Sequence, residues 1–231
     1  MLIKLKGLFP VKLKTYLKKF KKFNAYHELD KKLLKYINYE NGLYIDCGAN
    51  DGVNQSTTWY FEKSLKWNGI LIEPIPDTFC ELKKNRNKNN YFYNNALVSS
   101  DFKSDQIEFF FNKRDTLTGK TSSEDFLHKN NMEKIIAKTK TLDEIINNIK
   151  ISKQIDLFSL DVEGDEFNVL DGINFDKINF KYILIETEFP EKLTKFLNSK
   201  KYNLVERLSN YNFVEKPLYG DYLFKYKNEK I

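Results

Sequence analysis

The chain has 231 residues, of which 41% are hydrophobic and 30% are charged. This length suits one α/β domain with a short appendage, and this composition supports a packed core and excludes general disorder. No apolar run approaches the roughly 18 residues that cross a bilayer, which argues against an integral membrane protein. The two cysteines, Cys47 and Cys80, are too few for a disulfide framework. They are predicted to be buried free thiols in a reducing cytoplasm.

The net charge of +6 arises from the N-terminal segment. Residues 1–22 contain eight lysines and no acidic residue, whereas the rest of the chain is close to neutral. From Leu13 the apolar positions recur every three or four residues, which predicts an amphipathic helix. We expect residues 1–40 to form a basic helical arm, with a second helix near 28–37, and residues 41–231 to form the main domain.

The basic arm bears on the choice of partners. A nucleic-acid reader carries positive charge across its working face, and the body of this chain does not, so no nucleic-acid partner is expected. Lysines interleaved with apolar residues could instead rest on an anionic membrane surface through residues 1–22. A helix packed by one face against the domain explains the same pattern equally well.

Beyond residue 42, short apolar runs alternate with helical patterns. This alternation predicts parallel βαβ units, and the nearly continuous apolar character of the first strands indicates helices on both faces of the sheet. The predicted strands are 43–47, 69–73, 91–98, 107–111, 156–161, 182–187 and 221–226. The predicted helices are 56–66, 77–88, 141–149, 164–171 and 190–200. The runs 202–208 and 221–226 are joined without a helix, which predicts a terminal antiparallel pair.

One long segment, residues 112–138, breaks the alternation. It is polar, rich in Ser and Thr, and too long for a routine connection. We expect a loop or lid on the substrate side of a cleft. His128 lies in this segment and could act as a base if the loop closes over the site. The chain has two histidines, too few for a metal site of their own, so no metal site is predicted from them.

The motif YIDCGANDGV predicts a ligand-binding turn. A predicted strand ends at Asp46 and leads into Gly48, Asn50 and Gly52, and a helix is predicted soon after. Glycines let the backbone approach a ligand closely, and the helix N-terminus supplies free N–H groups. The spacing is not GxGxxG, and the acidic side chains disfavour a phosphate. A cationic or amino-bearing ligand is therefore favoured over a pyrophosphate.

Later strand ends carry further acidic residues. Glu73 follows the second strand about twenty residues beyond the glycine loop, where a carboxylate can accept hydrogen bonds from both ribose hydroxyls. The motif DLFSLDVEGDE brings Asp161 and Glu163 to another strand end. These two acids could orient an acceptor hydroxyl, take its proton, or hold a divalent cation. Glu186 and Glu188 end the next strand, and either could face the cleft or cap the surface.

Several motifs together resemble the FkbM family of S-adenosylmethionine-dependent methyltransferases. These motifs are IDCGANDGVNQS, GILIEPIPDTF, NNALVSSD, KTLDEII and DLFSLDVEGDEFNVLDGINF followed by ILIE. The resemblance runs over residues 42–188. It implies a Rossmann-like class I methyltransferase fold, with a mostly parallel seven-stranded sheet, helices on both faces and the antiparallel pair at its C-terminal end.

The resemblance also implies S-adenosylmethionine as cofactor and roles for individual residues. The implied cofactor-binding residues are Asp46, Gly48, Asn50, Gly52, Glu73, Asn95, Ala96 and Asp161. In this arrangement Glu73 binds the ribose and Asn95 and Ala96 border the adenine. Asp161 and Glu163 lie near the departing methyl group and are, with His128, the candidate catalytic residues.

The implied function is O-methylation of a sugar hydroxyl in a bacterial surface glycan, or of a natural product, by a cytoplasmic enzyme. Contact of the arm with the inner face of the membrane fits this location. The alternatives are an N-methyltransferase acting on an amino sugar or small molecule, and a membrane- or nucleic-acid-binding module that works through the arm. A nicotinamide-dependent oxidoreductase is disfavoured by the glycine spacing and by the terminal strand pair.

Overall fold

The computed structural model describes residues 18–19, 21–112, 132–149 and 154–227, together with the backbone of residues 115–120. Its strands are β1 (Leu43–Cys47), β2 (Asn68–Ile72), β3 (Tyr91–Tyr93), β4 (Ala96–Leu97), β5 (Gln106–Asn112), β6 (Asp115–Lys120), β7 (Met132–Lys140), β8 (Ile155–Leu160), β9 (Phe180–Thr187), β10 (Tyr202–Arg207) and β11 (Gly220–Tyr226). Its α-helices are α1 (Leu29–Leu33), α2 (Trp59–Leu65), α3 (Pro76–Asn85), α4 (Leu142–Ile149), α5 (Glu166–Asp171) and α6 (Pro190–Ser199).

Seven strands form the main sheet, in the order β10-β11-β9-β8-β1-β2-β3. β1, β2, β3, β8 and β9 pair in parallel, whereas β11 is antiparallel to both β9 and β10. The predicted fold class is confirmed: a Rossmann-like, mostly parallel sheet with an antiparallel strand pair at its C-terminal end.

The core has a layer on each face of this sheet, because successive side chains of a strand point to opposite faces. On one face Ile45 and Phe158 pack with α4, α5 and α6. On the other face Tyr44 and Leu157 pack with α1, α2 and α3. Parallel strands buried on both faces hold their carboxyl ends rigidly at a single edge, where the loops that follow them meet.

Four strands form a second sheet, in the order β4-β7-β5-β6. The prediction of a loop or lid over residues 112–138 was therefore wrong for the described part, because β7 pairs with β5 along its length and β6 pairs with the end of β5. The apolar side of this sheet is formed by alternate residues of β5 and β7, including Phe109, Phe111 and Ala137. The strand over 107–111 was predicted, but β7 has no regular alternation of apolar and polar residues, because Ile135, Ile136 and Ala137 stand together between lysines. His128 lies outside the described residues.

Three local predictions need correction. The strand predicted over 91–98 is divided: β3 belongs to the main sheet and β4 to the second sheet. The helix predicted near 28–37 is a short 3₁₀ turn, Tyr26–Glu28, followed by the single turn of α1. Cys47 is buried as predicted, but Cys80 is exposed because it lies on the outer side of α3.

The segment before β1 packs against the sheet: Leu29, Leu33 and Ile37 are almost fully buried. The boundary proposed at residue 40 remains a prediction, as does the amphipathic helix from Leu13, most of which lies outside the described residues. Among the described helices, none combines the length and apolarity that crossing a bilayer takes.

Candidate functional site

Two cavities that share several lining residues lie at the carboxyl ends of the parallel strands. The larger has a volume of about 970 Å³ and extends from the loop after β1 towards the segment between β10 and β11. The smaller, about 80 Å³, lies between the loop after β2 and β4. Gly48, Asn50, Asp161 and Glu163 line both cavities. The carboxyl edge of an open parallel sheet is where α/β proteins bind their ligands.

Gly48 lets two strand ends come together. Its φ angle is +81°, and a Cβ atom at this position would lie 1.9 Å from the backbone oxygen of Asp161. Gly48 and Ala49 both donate their backbone N–H to the carbonyl of Ile72, each at 3.1 Å. The loop after β1 is thereby fixed to β2 on one side and to the end of β8 on the other, and no larger residue fits.

Glu73 forms the polar end of the smaller cavity. One carboxylate oxygen accepts the Asn50 backbone N–H at 3.0 Å, and the other accepts the Ile75 backbone N–H at 2.9 Å. The side chain is 4% exposed. Burial and the nearby charges of Asp46 and Asp51 raise the pKa of Glu73 to about 7, although the two N–H bonds oppose the shift. A carboxylate held in this way is a fixed hydrogen-bond acceptor.

The walls of the smaller cavity are mainly apolar. The apolar lining residues are Ile72, Pro74, Ile75, Ala96, Leu97, Phe109, Val162 and Val169. Asn95 lies among them and is 8% exposed. Phe109 comes from the second sheet, so this sheet closes one side of the cavity. A slot with apolar walls and a few fixed polar groups suits a flat heterocycle attached to a sugar.

Asp46 lies beneath the glycine loop at the end of β1. It accepts a hydrogen bond from the Thr58 hydroxyl, and the guanidinium of Arg86 lies 4.0 Å away. Burial raises the pKa of Asp46, whereas Arg86 and Thr58 lower it. Asp46 lines the larger cavity, where it could face a cationic group.

A cluster of carboxyl groups lies between the two cavities. Asp161, Glu163 and Glu186 each offer an oxygen, and these oxygens lie within 4.8 Å of one another. Asp161 is accessible from within the cleft. It is nevertheless surrounded by enough protein that burial, and then the adjacent Glu186, raise its pKa well above the usual range. Such a set could hold a proton between carboxylates, an ammonium group or a divalent cation.

The far end of the larger cavity is lined by buried carboxyl groups and by tyrosine rings. Asp221 stands opposite Glu186 in the β9–β11 ladder, and both are less than a tenth exposed. Burial raises the pKa of Asp221 to about 6, although the Ser209 hydroxyl opposes the shift. The rings of Tyr211 and Tyr219 stand over these acids with their centroids 4.8 Å apart.

Most of the predicted site residues meet here. Asp46, Gly48, Asn50, Glu73, Asn95, Ala96, Asp161 and Glu163 all line the cavities. Gly52 does not, because it turns the loop with a φ angle of +77° and packs against Leu82 and Arg86 below.

Sequence reasoning missed Asp221, Tyr211 and Arg86. Asp221 and Tyr211 belong to the C-terminal strand pair and its connection, which only the insertion of β11 beside β9 brings to the cleft. Arg86 lies near the end of a surface-like helical pattern that gives no signal of burial.

The chain was compared with family models and known proteins. Residues 46–213 match the model of the methyltransferase FkbM domain. No curated protein matches the chain closely enough to count as a relative.

The solved structures that resemble the chain include the methyltransferase FkbM from Methylobacillus flagellatus KT. It has a TM-score of 0.50 and 15% sequence identity, and the match covers 92% of this chain and 49% of that chain. A TehB-like SAM-dependent methyltransferase from Corynebacterium glutamicum has a TM-score of 0.47 and 11% identity, covering 86% of this chain and 88% of that one. This chain thus spans about half the length of the first of these proteins. The family-model match covers well over half of the present sequence, and the chain therefore belongs to the FkbM methyltransferase domain family.

Proposed function

We propose that the chain is an S-adenosylmethionine-dependent O-methyltransferase that acts on a sugar hydroxyl of a bacterial surface glycan, or on a natural product. The observation that carries the proposal is the fixed Glu73 carboxylate in an apolar slot, joined through the glycine loop to a larger acidic cavity. Membership of the FkbM methyltransferase family supports the reaction class.

The residues present fit S-adenosylmethionine. Gly48 lets the loop after β1 lie directly against the end of β8, which brings Asn50 and Asp161 to the border of both cavities. Glu73 can accept two ribose hydroxyls, and the apolar slot beside Asn95 and Ala96 can hold the adenine. Asp46 and Asn50 line the larger cavity on the side proposed for the methionyl part. The bound cofactor would supply an activated methyl group on a positively charged sulfur.

The proposed work of the protein is alignment and proton removal. Asp161 borders both cavities, so an acceptor hydroxyl in the larger cavity would lie beside its carboxyl group. We assign proton removal to Asp161, with Glu163 orienting the hydroxyl. Asp161→Asn should lower turnover by about 100-fold or more and should weaken binding of S-adenosylhomocysteine much less. An equal loss of binding and turnover would contradict this assignment. His128 remains a candidate base from the sequence alone.

N-methylation of an amino sugar or small molecule is the second candidate. Among the residues that the structure describes, the larger cavity is lined by one lysine, Lys216, and by six carboxyl-bearing residues: Asp46, Asp161, Glu163, Glu186, Glu215 and Asp221. An ammonium group would be attracted to such a surface. A divalent cation at Asp161, Glu163 and Glu186 is an optional addition that neither reaction requires.

The N-terminal arm is proposed to hold the enzyme at the inner face of the cytoplasmic membrane. The support is its charge: residues 1–22 carry eight lysines without an acidic residue. Such a location would bring the cleft close to lipid-linked glycan intermediates, and no nucleic-acid partner is proposed.

Calorimetric titration with S-adenosylmethionine and S-adenosylhomocysteine tests the proposed cofactor. We expect micromolar affinity in the wild type and loss of at least about tenfold in Glu73→Ala, because two ribose hydrogen bonds to a charged group disappear. Glu81→Ala, on the exposed side of α3, is the matched control. Folded wild-type protein that binds neither compound would refute the proposal.

A further inference from the structure

Arg86 is a buried cation directly beneath the glycine loop. Its side chain is 0% exposed. The guanidinium donates to the carbonyl of Gly52 at 3.0 Å, to the Ser56 hydroxyl at 3.1 Å and to the Thr58 hydroxyl at 2.9 Å. Thr58 in turn donates to Asp46. The guanidinium thus binds Gly52, Ser56 and Thr58 directly, and it is linked to Asp46 through Thr58. All four residues lie in the segment from the end of β1 to the start of α2.

The charge of Arg86 is balanced from α2. Glu62 accepts its Nε at 2.8 Å and also accepts the Asn90 side-chain amide at 2.6 Å. Burial would raise the pKa of Glu62, but Arg86, with hydrogen bonds from Asn90 and the Asn87 backbone, lowers it to about 2. Tyr44 accepts a further guanidinium hydrogen bond at 2.7 Å. The N–H donors of the guanidinium form a planar fork. Because they bind partners that are themselves fixed, the guanidinium is held in one orientation.

The loop needs such support because regular structure does not provide it. Asn50, Gly52 and Gln55 have positive φ angles of 46°, 77° and 59°. Positive φ outside glycine is strained and persists only when its surroundings fix it. The same loop lines the larger cavity through Asn54, Gln55, Ser56 and Thr57, on the side that our proposed function gives to the methionyl part of the cofactor.

We propose that Arg86 is a positioning residue for the methionyl subsite: its guanidinium fixes residues 52–58 and, through Thr58, the carboxylate of Asp46. This inference rests on the proposed function. It predicts that loss of Arg86 affects binding of one part of a ligand more than another, whereas a general loss of protein stability would affect both parts alike. Glu73 is held by Ile75, outside the glycine loop, as well as by Asn50, which precedes residues 52–58 in that loop. Loss of the fork should therefore affect the methionyl part of a ligand more than its adenosine part.

The test compares two ligands by calorimetry: S-adenosylhomocysteine, and 5′-methylthioadenosine, which lacks the amino-acid part. Arg86→Lys keeps the charge but loses the fork. We expect its dissociation constant for S-adenosylhomocysteine to rise by about tenfold or more, and that for methylthioadenosine to stay within about twofold. Thr58→Val, which removes the hydroxyl between Arg86 and Asp46 but leaves the other hydrogen bonds of the guanidinium, should show a smaller loss in the same direction. Lys84→Met, at an exposed position near the end of α3, two residues before Arg86, is the control.

The outcomes separate the two proposals. Variants with the wild-type unfolding midpoint that bind both ligands normally, or that weaken both equally, would overturn the role of Arg86 while leaving the cofactor assignment intact. A wild type that binds neither ligand refutes the proposed function itself, and this inference with it. If Arg86→Lys does not fold, Thr58→Val decides, because it leaves the Arg86–Glu62 pair in place.

Discussion

Among single residues, the carboxyl group of Glu73 contributes most to the argument for the proposed cofactor site. Two backbone N–H groups from different loops converge on it, and their bonds favour the ionised form, but burial outweighs them and raises its pKa to about 7. Its protonation state therefore changes within the physiological pH range.

Cofactor binding is predicted to depend on pH because of Glu73. The ionised carboxylate accepts ribose hydroxyls better than the protonated acid, so bound ligand stabilises the ionised form and affinity rises with pH through about 7. Below this value the dissociation constant of S-adenosylhomocysteine should increase by up to about tenfold per pH unit. Calorimetry between pH 6 and pH 8.5 measures this dissociation constant as a function of pH. Glu73→Gln should bind more weakly with a flatter profile, and an unchanged slope in that variant would assign the titration elsewhere.

At the scale of elements, β11 links the fold to the site. It is inserted antiparallel between β9 and β10, and it carries Asp221 to a position opposite Glu186. Phe224, in the same strand, is fully buried against the helices on one face of the sheet. The strand therefore contributes both to the core and to the acidic floor of the larger cavity.

Phe224→Ala is predicted to lower the free energy of unfolding by about 3–5 kcal/mol, because it leaves a cavity in a packed core. Val214→Ala, at a side chain 95% exposed in the connection between β10 and β11, should change it by less than about 0.5 kcal/mol. Urea unfolding of both variants gives the comparison. Similar small effects in both would mean that β11 is not packed as described.

For the whole molecule, charge is divided between two regions. The charged residues that line the larger cavity are mainly acids, whereas the N-terminal arm is basic. The two regions favour different partners: the cavity disfavours anionic ligands, and the arm favours anionic surfaces.

The acidic cavity predicts discrimination among acceptors by charge. In a panel of methyl glycosides, neutral and amine-bearing sugars should be methylated in preference to uronic acids, because a buried anion beside Glu186 and Asp221 is repelled. Release of S-adenosylhomocysteine measures the reaction. If uronic acids react best, Glu186→Gln should be tested first, since the prediction depends on its charge.

The basic arm predicts binding to anionic membranes. Full-length protein should sediment with phosphatidylglycerol vesicles and less with phosphatidylcholine vesicles, because each lysine near the surface contributes about 1 kcal/mol. A variant with Lys4, Lys6, Lys12 and Lys14 replaced by glutamine should show a smaller difference, because half of the eight lysines of the arm are then neutral. Equal sedimentation of variant and wild type would exclude the arm as a membrane contact.

Much of the fold follows from local sequence. The strands β1, β2, β8 and β9 are short apolar runs between helical patterns, and their parallel arrangement needed no further information. The glycine loop, Glu73 and Asp161 were found because strand ends and glycines are local features. The second sheet was missed: β5 and β7 are separated by a long polar segment, and their pairing is a non-local contact that no local pattern records.

The sequence by itself determined the α/β fold, the family and the cofactor-side candidates, since each depends on residues close together in the chain. Tertiary structure alone decided the rest. Burial of Arg86 beneath the glycine loop, the junction of Asp161 with Glu186 and Asp221, and the closure of the small cavity by Phe109 all join residues from distant segments. The physical reason is that charge, desolvation and packing depend on distance in space, and the chain order does not specify that distance until the strands have been placed in the sheets.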